Sequence, residues 1–249
     1  MRRARATRYV TPLREGGSLP GLVEADDDGL YVLKFRGAGQ GTPALAADAL
    51  GGELARALGL PVPELIVLEV DPDLGRAEPD PEIQALITSS GGANLGVDFL
   101  PGALPFDAAA GEAMDPAFAA GVVWLDGLLT NVDRTPRNPN LLAWHGRVWL
   151  IDHGALLAVH SPHPPDPRRP FPLLREHVLL PYAGSVAEAD ARLAGRAAAA
   201  LPGVLAKVPD TWLGADPAAR RAELHDLFAA RLRAPRPFVA EAEDARAAA

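Results

Sequence analysis

The 249-residue sequence contains no cysteine, which excludes disulfide bonds and zinc sites built on thiolates. It also lacks the roughly 20 consecutive apolar residues that a membrane helix needs, and no apolar segment follows the basic residues 1–5 as in a signal peptide. A net charge of −8 argues against broad nucleic-acid binding, because such binding needs excess cations to neutralise phosphates. We therefore expect a cytoplasmic protein that binds neither membranes nor nucleic acids directly.

Lysine and asparagine are scarce. Of the 24 Lys and Arg residues, only Lys34 and Lys207 are lysine. Four asparagines occur, and three of them (Asn131, Asn138 and Asn140) fall within ten residues. In a chain so rich in Ala, Arg, Pro and Gly, the rare Lys and Asn positions are candidates for sites where chemistry requires those residues.

The length suits one domain of two lobes or two small domains, and the composition, with 48% hydrophobic and 22% charged residues, is typical of a soluble globular protein. Residues 1–100 read as sheet-rich, with strands predicted over 8–13, 22–25, 30–35, 64–70 and 83–88 and a helix over 43–58. Residues 101–249 read as mainly helical, with one hairpin over 141–151 and a tail after Pro237 that is expected to fray. The predicted fold class is α+β.

Three helix starts carry capping signals. Asp115 and Asp216 each precede a proline, and Ser185 is followed three residues later by Glu188. In the first of these helices, apolar residues recur three or four positions apart, at Phe118, Val122, Leu125 and Leu129. This spacing predicts a half-buried helix. That helix runs into an ordered loop rich in proline and asparagine, residues 130–140.

This loop and the hairpin after it carry a spacing that suits phosphoryl transfer. The reaction needs a cation on the phosphates, oxygen ligands for Mg²⁺ and an acceptor that aligns the attacking hydroxyl. Asp133 and Asn138 are five residues apart, and Asp152 follows the hairpin, two residues before Gly154. Lys34 lies in an early strand ahead of a helix, where kinases keep a phosphate-binding lysine. Each motif alone is weak, but their order and setting together favour a kinase.

Five segments together resemble the HipA-like kinase domain proteins of bacteria. They are residues 34–41, 53–64, 98–106, 131–142 and 150–154. The resemblance extends from about residue 9 to residue 159 and more loosely to the end of the chain. It implies a two-lobed protein-kinase-like fold, related to HipA toxins and distantly to phosphoinositide kinases. The sheet-rich N-lobe would be residues 1–100 and the helical C-lobe residues 101–249, with ATP and Mg²⁺ as cofactors.

The resemblance also implies roles for the site residues. Asp133 would be the catalytic base, and Lys34 would hold the phosphates. Asn138 and Asp152 would bind Mg²⁺.

Further positions would bind the nucleotide by the same likeness. Asp48 would pair with Lys34 from the first helix, with Glu53 as the fallback because aspartate is shorter than the usual glutamate. Residues 98–104 would form the hinge near the adenine, with Phe99 and Leu100 in contact. No G-x-G-x-x-G motif follows the first strand, so two glycine-rich segments are alternatives for covering the phosphates: Gly16 with Gly17, or Gly37 with Gly39 and Gly41.

Several alternatives stay open on sequence alone. The HipA-like resemblance favours Ser or Thr of a protein as the phosphate acceptor, but the same motifs occur in small-molecule phosphotransferases, and transfer of AMP is a third possibility. The missing His-Arg pair before Asp133 and the short Asp48 favour a nucleotide-binding scaffold without turnover. Arg134 and Arg137 could equally contact substrate phosphate or pair with acidic neighbours. His153 is expected to pack. A regulatory partner cannot be identified from the sequence.

Overall fold

The computed structural model describes residues 1–13, 19–76, 78–107, 114–161 and 166–248, and its fold is a mixture of helices and sheets. The N-terminal strands are β1 (Arg3–Pro12), β2 (Gly21–Ala25), β3 (Leu30–Lys34), β4 (Leu65–Val70) and β5 (Gly92–Asp98). They close into a barrel in the order β1-β2-β3-β5-β4, in which β4 runs parallel to β1. Buried and partly exposed residues alternate along β2 and β3, as they must when one face of a sheet covers a core.

Two helices interrupt these strands. The first, α1 (Thr42–Ala57), follows β3, and the predicted helix over 43–58 is thus confirmed to within one residue at each end. Leu50, Leu54 and Leu58, which are spaced four residues apart, are buried, and so is every residue from 45 to 55. A helix buried on all sides lies between other layers. α1 packs against β4, β5 and the long helix formed by Val186–Lys207.

The remaining elements form a small sheet and a helical region. The sheet has the order β6 (Leu104–Pro105), β7 (Leu141–Trp144), β8 (Arg147–Leu150). The helices are α3 (Pro116–Leu129), α4 (Leu157–His160), α5 (Val186–Lys207), α6 (Pro217–Leu232) and α7 (Pro237–Ala247), after α2 (Pro81–Ser89) in the barrel region. The predicted hairpin and three predicted helix starts are confirmed, because Asp115, Ser185 and Asp216 each cap a backbone N–H.

The prediction of a strand over 83–88 is wrong, because these residues lie in α2. The Asp80 carboxylate caps this helix by accepting a bond of 2.9 Å from the Glu82 N–H, and Pro81 occupies the first turn. Ile83 and Ile87, four residues apart, share its buried face. β5 was not predicted. Its two glycines weaken the strand signal, yet Gly96 is needed there, since a Cβ would lie 2.8 Å from Ile66 Cγ1.

Two further expectations are corrected in the helical region. α3 is buried on all sides from Ala119 to Leu129 instead of on one stripe. The tail after Pro237 forms α7, with Phe238, Ala242 and Ala245 buried. The Phe238 ring packs edge-on against the Trp124 ring at a centroid distance of 6.0 Å, so the C-terminal helix is part of the core.

One apolar core joins the barrel to the helices. It runs from α1, β4 and β5 into α3, α5, α6 and α7. Polar contacts bridge the same boundary: the Trp212 Nε1–H donates to the Ala93 carbonyl at 3.0 Å, and Lys207 Nζ lies 2.5 Å from Glu53 Oε2. Among the described helices, none has the length and apolar character needed to cross a membrane.

Candidate active site

Lys34 lies between two carboxylates. Its Nζ is 2.5 Å from Asp48 Oδ2 and 2.7 Å from Asp152 Oδ1. β3 ends at Lys34, α1 contributes Asp48, and Asp152 follows β8, so the fold brings three separate elements to one point. The Lys34 side chain is 16% exposed and that of Asp48 only 3%, whereas that of Asp152 is 41% exposed. Asp152 is therefore the member of this group that is most open to a ligand.

Asp48 also holds the segment that carries Asp152. Its Oδ1 accepts a hydrogen bond of 2.7 Å from the His153 N–H while its Oδ2 pairs with Lys34. This close approach requires Gly51 on the next turn of α1, because a Cβ there would lie 2.5 Å from His153 Cβ. The His153 side chain is buried, as expected. Glu53, the fallback partner for Lys34, pairs instead with Lys207.

The electrostatics of this cluster fix its charge state. Burial by itself lowers the pKa of Lys34, but the charges of Asp48 and Asp152 outweigh burial and raise that pKa above its usual value. Burial alone would raise the pKa of Asp48, yet Lys34 and the side chain of His153 hold it well below the usual range. The ammonium and its buried partner are thus both charged at neutral pH.

Asp133 lies at the start of the loop after α3, partly exposed. Thr130 ends α3 in the left-handed conformation (φ 56°), which turns the chain into this loop. The Asp133 N–H donates to Asn131 Oδ1 at 3.2 Å, and its carbonyl accepts a bond of 3.0 Å from Asn140 Nδ2. Asparagine side chains therefore bind both the N–H and the carbonyl of Asp133, so the backbone that carries its carboxylate is fixed.

A buried polar network anchors the loop to α3. Asp126 accepts from Arg134 Nε at 2.6 Å, from Asn131 Nδ2 at 2.9 Å and from His177 Nε2 at 3.0 Å. His177 Nδ1 accepts from the Leu179 N–H at 3.1 Å, so the proton of the neutral ring lies on Nε2. Arg134 also donates to the Asn140 carbonyl at 2.5 Å. Arg134 is 1% exposed, so of the two roles considered for it, contact with a substrate phosphate or pairing with an acidic neighbour, the structure has the second.

The ionisation of this network follows from burial. Desolvation alone would raise the pKa of Asp126, but Arg134 and His177 hold it well below its usual value. Burial lowers the pKa of His177, and Asp126 offsets this only in part. The network therefore contains one ion pair, Asp126 with Arg134, and a neutral imidazole.

The two candidate amide ligands have different surroundings. Asn138 is exposed in a tight turn, where its N–H donates to the Thr135 carbonyl at 3.1 Å; its side chain has no hydrogen bond to any described residue. The Asn140 carbonyl accepts from the Ile151 N–H at 3.1 Å, which places Asn140 beside the residue that precedes Asp152. The structure thus ties Asn140 to both Asp133 and the Asp152 segment.

The remaining predicted residues flank this cluster along the chain. Gly37, Gly39 and Gly41 connect β3 to α1, and Gly39 (φ 42°) and Gly41 (φ 67°) have the left-handed backbone that favours glycine. Gly16 and Gly17 lie outside the described residues. The chain leaves the barrel at Phe99, whose N–H donates to the Leu30 carbonyl at 2.9 Å, and Leu100 is buried.

Sequence reasoning missed Asp126 and His177. Asp126 is the only charged residue within the otherwise apolar α3, and a carboxylate at such a position requires a buried partner. That signal was available in the sequence. His177 lies 51 residues from Asp126 in a proline-rich region, and nothing local marks it.

Comparisons with known proteins support one family. A family model described as HipA-like kinase matches residues 7–233. The fold is similar to the crystal structure of the proinflammatory kinase CtkA of Helicobacter pylori, with a TM-score of 0.58 and 11% sequence identity over 95% of this chain and 97% of that one. At this identity the likeness concerns the fold alone. No curated protein matches the sequence.

Proposed function

Since the chain belongs to the HipA-like kinase family, we propose that it is a kinase that transfers the γ-phosphate of ATP to a hydroxyl group, in a Mg²⁺-dependent reaction. The observation that supports this most directly is the position of Lys34 Nζ between Asp48 and Asp152, and Asp133 lies on the anchored loop that precedes β7. We propose two lobes, residues 1–100 and 101–249, with the nucleotide between them.

Lys34 is the proposed phosphate ligand. Its ammonium stays charged because Asp48 compensates it from within α1, and the same ion pair fixes its direction. The shortness of Asp48 was a reason to consider a scaffold without turnover. That reason is weakened, since Asp48 reaches Lys34 at 2.5 Å. The proposed nucleotide contacts also include the hinge residues Phe99 and Leu100, and one of the two glycine-rich segments.

The donor set near Lys34 fits Mg²⁺. Magnesium prefers oxygen ligands, and Asp152 offers a carboxylate that is 41% exposed. The amide ligand is proposed to be Asn138 by its spacing from Asp133; Asn140 is the second candidate by its contacts. Bound Mg²⁺ would neutralise charge on the phosphates. Among the described residues, no three His, Asp or Glu side chains gather into a metal site, so most ligands would come from water and phosphate.

Asp133 is the proposed base. Its carboxylate would accept the proton of the attacking hydroxyl as the new bond from that oxygen to the γ-phosphorus forms and the bond from the γ-phosphorus to the leaving ADP breaks. Asn140 Nδ2 lies 3.5 Å from Asp133 Oδ2, too far for a strong bond, so both carboxylate oxygens keep capacity to accept. Asn131 and Asn140 hold the backbone on either side of this carboxylate.

The proposed acceptor is a Ser or Thr of a protein, by the family likeness. The cytoplasm is the proposed location. Labelling experiments distinguish a protein acceptor from a small alcohol, and transfer of phosphate from transfer of AMP.

The test is to incubate the purified protein with Mg²⁺ and ATP labelled at the γ-phosphate, beside Asp133→Asn and the matched control Asp226→Asn, whose side chain is 85% exposed. We expect ATP turnover or self-labelling in the wild type and the control. In Asp133→Asn the rate should fall by about 10² to 10⁴, the contribution of a positioned base.

Other outcomes would redirect the assignment. Tight Mg²⁺-dependent ATP binding without transfer to any protein or alcohol would support the scaffold. Label transferred from the α-phosphate would indicate AMP transfer. Absence of any ATP binding would refute the proposal.

A further inference from the structure

A cavity of about 760 Å³ lies apart from the proposed catalytic residues, in the range of small-molecule binding sites. Its described lining comes from five places: the end of α1 with the following turn, the segment around β6, the start of α3, the β7–β8 turn and the middle of α5. Neither Lys34, Asp48, Asp133 nor Asp152 belongs to that lining. Gly102 and Leu104 of the proposed hinge segment, residues 98–104, line the cavity, but none of the described residues proposed to bind phosphate or metal does.

Much of the lining is apolar. It includes Leu60, Phe106, Phe118 and Leu193, which come from four different segments. Leu104 on β6 stands at the same cavity and is 66% exposed, the highest exposure among the large apolar side chains that are exposed in the described chain. Apolar surface that stays in water at a concave site indicates a ligand with an apolar portion.

The charged side chains of the lining are mostly cationic. Arg147, Arg192 and Arg196 line the cavity, and none of them lies within ion-pair distance of a carboxylate of the described residues. Asp115 is the single carboxylate in the described lining, and it already caps the Ala117 N–H at 3.0 Å. This local excess of cations occurs in a chain whose net charge is −8, so it is a feature of this site and not of the surface at large.

Two of the arginines lie near neutral backbone carbonyls. Arg192 and Arg196 are four residues apart on α5, so they project from one face. Arg192 Nη2 lies 3.4 Å from the Ala117 carbonyl and Arg196 Nη2 lies 3.4 Å from the Ala57 carbonyl, at the start of α3 and the end of α1 respectively. Neutral carbonyls leave the charge of each guanidinium uncompensated, and each guanidinium keeps further N–H donors for an anion.

We infer that this cavity binds a small amphipathic anion, a molecule with an apolar chain and a carboxylate or phosphate head. The apolar lining would take the chain, and Arg192 and Arg196 would bind the head. A small molecule suits the volume of the cavity and its lining by five segments better than an extended peptide does. This inference does not depend on the proposed kinase activity.

Calorimetry with four eight-carbon probes tests the inference on the full-length protein. Octanoate and octyl phosphate carry the two candidate heads, and octan-1-ol and octylammonium share the chain without the negative charge. We expect both or one of the anions to bind, and the alcohol and the cation to bind at least roughly tenfold more weakly, as for loss of charge-assisted hydrogen bonds.

Variants locate the binding. Arg192→Gln with Arg196→Gln should weaken anion binding by roughly tenfold or more. The control, Arg168→Gln with Arg175→Gln, removes the same charge from exposed arginines outside the cavity and should bind normally. Ala117→Phe, at an exposed lining position, should weaken every probe by filling space. Three results would each overturn the inference: binding of octan-1-ol as tight as that of the tighter-binding anion, unchanged anion affinity in the Arg192/Arg196 variant, or no anion binding to the wild type.

Discussion

At the scale of single residues, the site depends on short side chains brought close by the backbone. Asp48 reaches Lys34 although it is one carbon shorter than glutamate, because α1 approaches the Asp152 segment closely at Gly51. The same carboxylate accepts the His153 N–H, so a single buried aspartate orients both the ammonium and the proposed metal ligand. Because Asp48 makes both contacts, we expect the site not to tolerate a longer or shorter side chain at this position.

Two of the three asparagines in the loop, Asn138 and Asn140, allow a sharper prediction. Asn140 Nδ2 donates to the carbonyl of Asp133, whereas the exposed side chain of Asn138 has no bond to a described residue. We expect Asn138→Ala to raise the Mg²⁺ concentration needed for half-maximal rate, because it removes the proposed amide ligand. Asn140→Ala should instead lower kcat by on the order of 10², through loss of positioning of Asp133. Steady-state kinetics over a Mg²⁺ series measure both.

The comparison has a built-in control, since both variants remove the same amide from the same loop. If Asn140→Ala raised the Mg²⁺ requirement and Asn138→Ala left it unchanged, the amide ligand would be Asn140 and not Asn138.

At the scale of elements, the loop is held at the end of α3 by buried charge. Asp126 near the end of α3 binds Arg134 and His177, and Arg231 from α6 donates to the carbonyls of Gly127 and Leu128 at 2.7 and 2.8 Å. The last turn of α3 thus has its carbonyls capped by a cation, which favours helix termination at that point. The end of α3, from which the loop with Asp133 begins, is therefore fixed by contacts with the loop, with the segment of His177 and with α6.

His177 should make stability depend on pH in the range just below neutrality. Its pKa is lowered in the folded protein by burial, while an unfolded histidine has a pKa of about 6.5. Below that value the unfolded state binds a proton that the folded state resists, so the free energy of unfolding should fall as the pH drops from 7 towards 5. The depressed pKa of Asp126 adds its own loss only at more acid pH, below about 4.

Urea unfolding at pH 7, 6 and 5 measures this dependence. In His177→Gln the loss of stability between pH 7 and pH 5 should be smaller than in the wild type. His225→Gln, at an exposed position, should keep the wild-type slope. An identical slope in all three proteins would show that His177 does not titrate in this way.

At the scale of the whole molecule, the two proposed lobes share the larger of two apolar clusters, and the smaller cluster lies within residues 1–100. Apolar residues of α1, β4 and β5 pack in the same cluster as those of α3, α5, α6 and α7, and Trp212 and Lys207 bond across to Ala93 and Glu53. Separation of the chain near residue 100 would expose the buried sides of α1 to water.

We therefore expect residues 1–100 alone not to fold. The fragment should lack a cooperative thermal transition and give poorly dispersed amide NMR signals, because the apolar surface it exposes is no longer covered. The full chain under the same conditions should unfold in one cooperative step. A fragment with a dispersed spectrum and a sharp transition would show that the barrel and α1 are an independent unit.

The sequence by itself determined the features that depend on neighbouring residues. Helix starts at Asp115, Ser185 and Asp216 were predicted correctly, because a cap is a bond between a side chain and a backbone N–H two or three residues away. The same signal at Asp80 was overlooked in favour of β-branched residues, which produced the incorrect strand over 83–88. The HipA-like family was predicted from ordered motifs and is confirmed.

Only the tertiary structure decided which distant residues meet. Asp48 and Glu53 lie five residues apart on α1 and so face directions about 140° apart, and packing alone turned Asp48 towards Lys34 and Glu53 towards Lys207. The pairing of Asp126 with His177, the parallel closure of the barrel by β1 and β4, and the arginine-lined cavity likewise join segments far apart in the chain. Such contacts leave no local pattern, because they arise from the burial of apolar surface over the whole molecule.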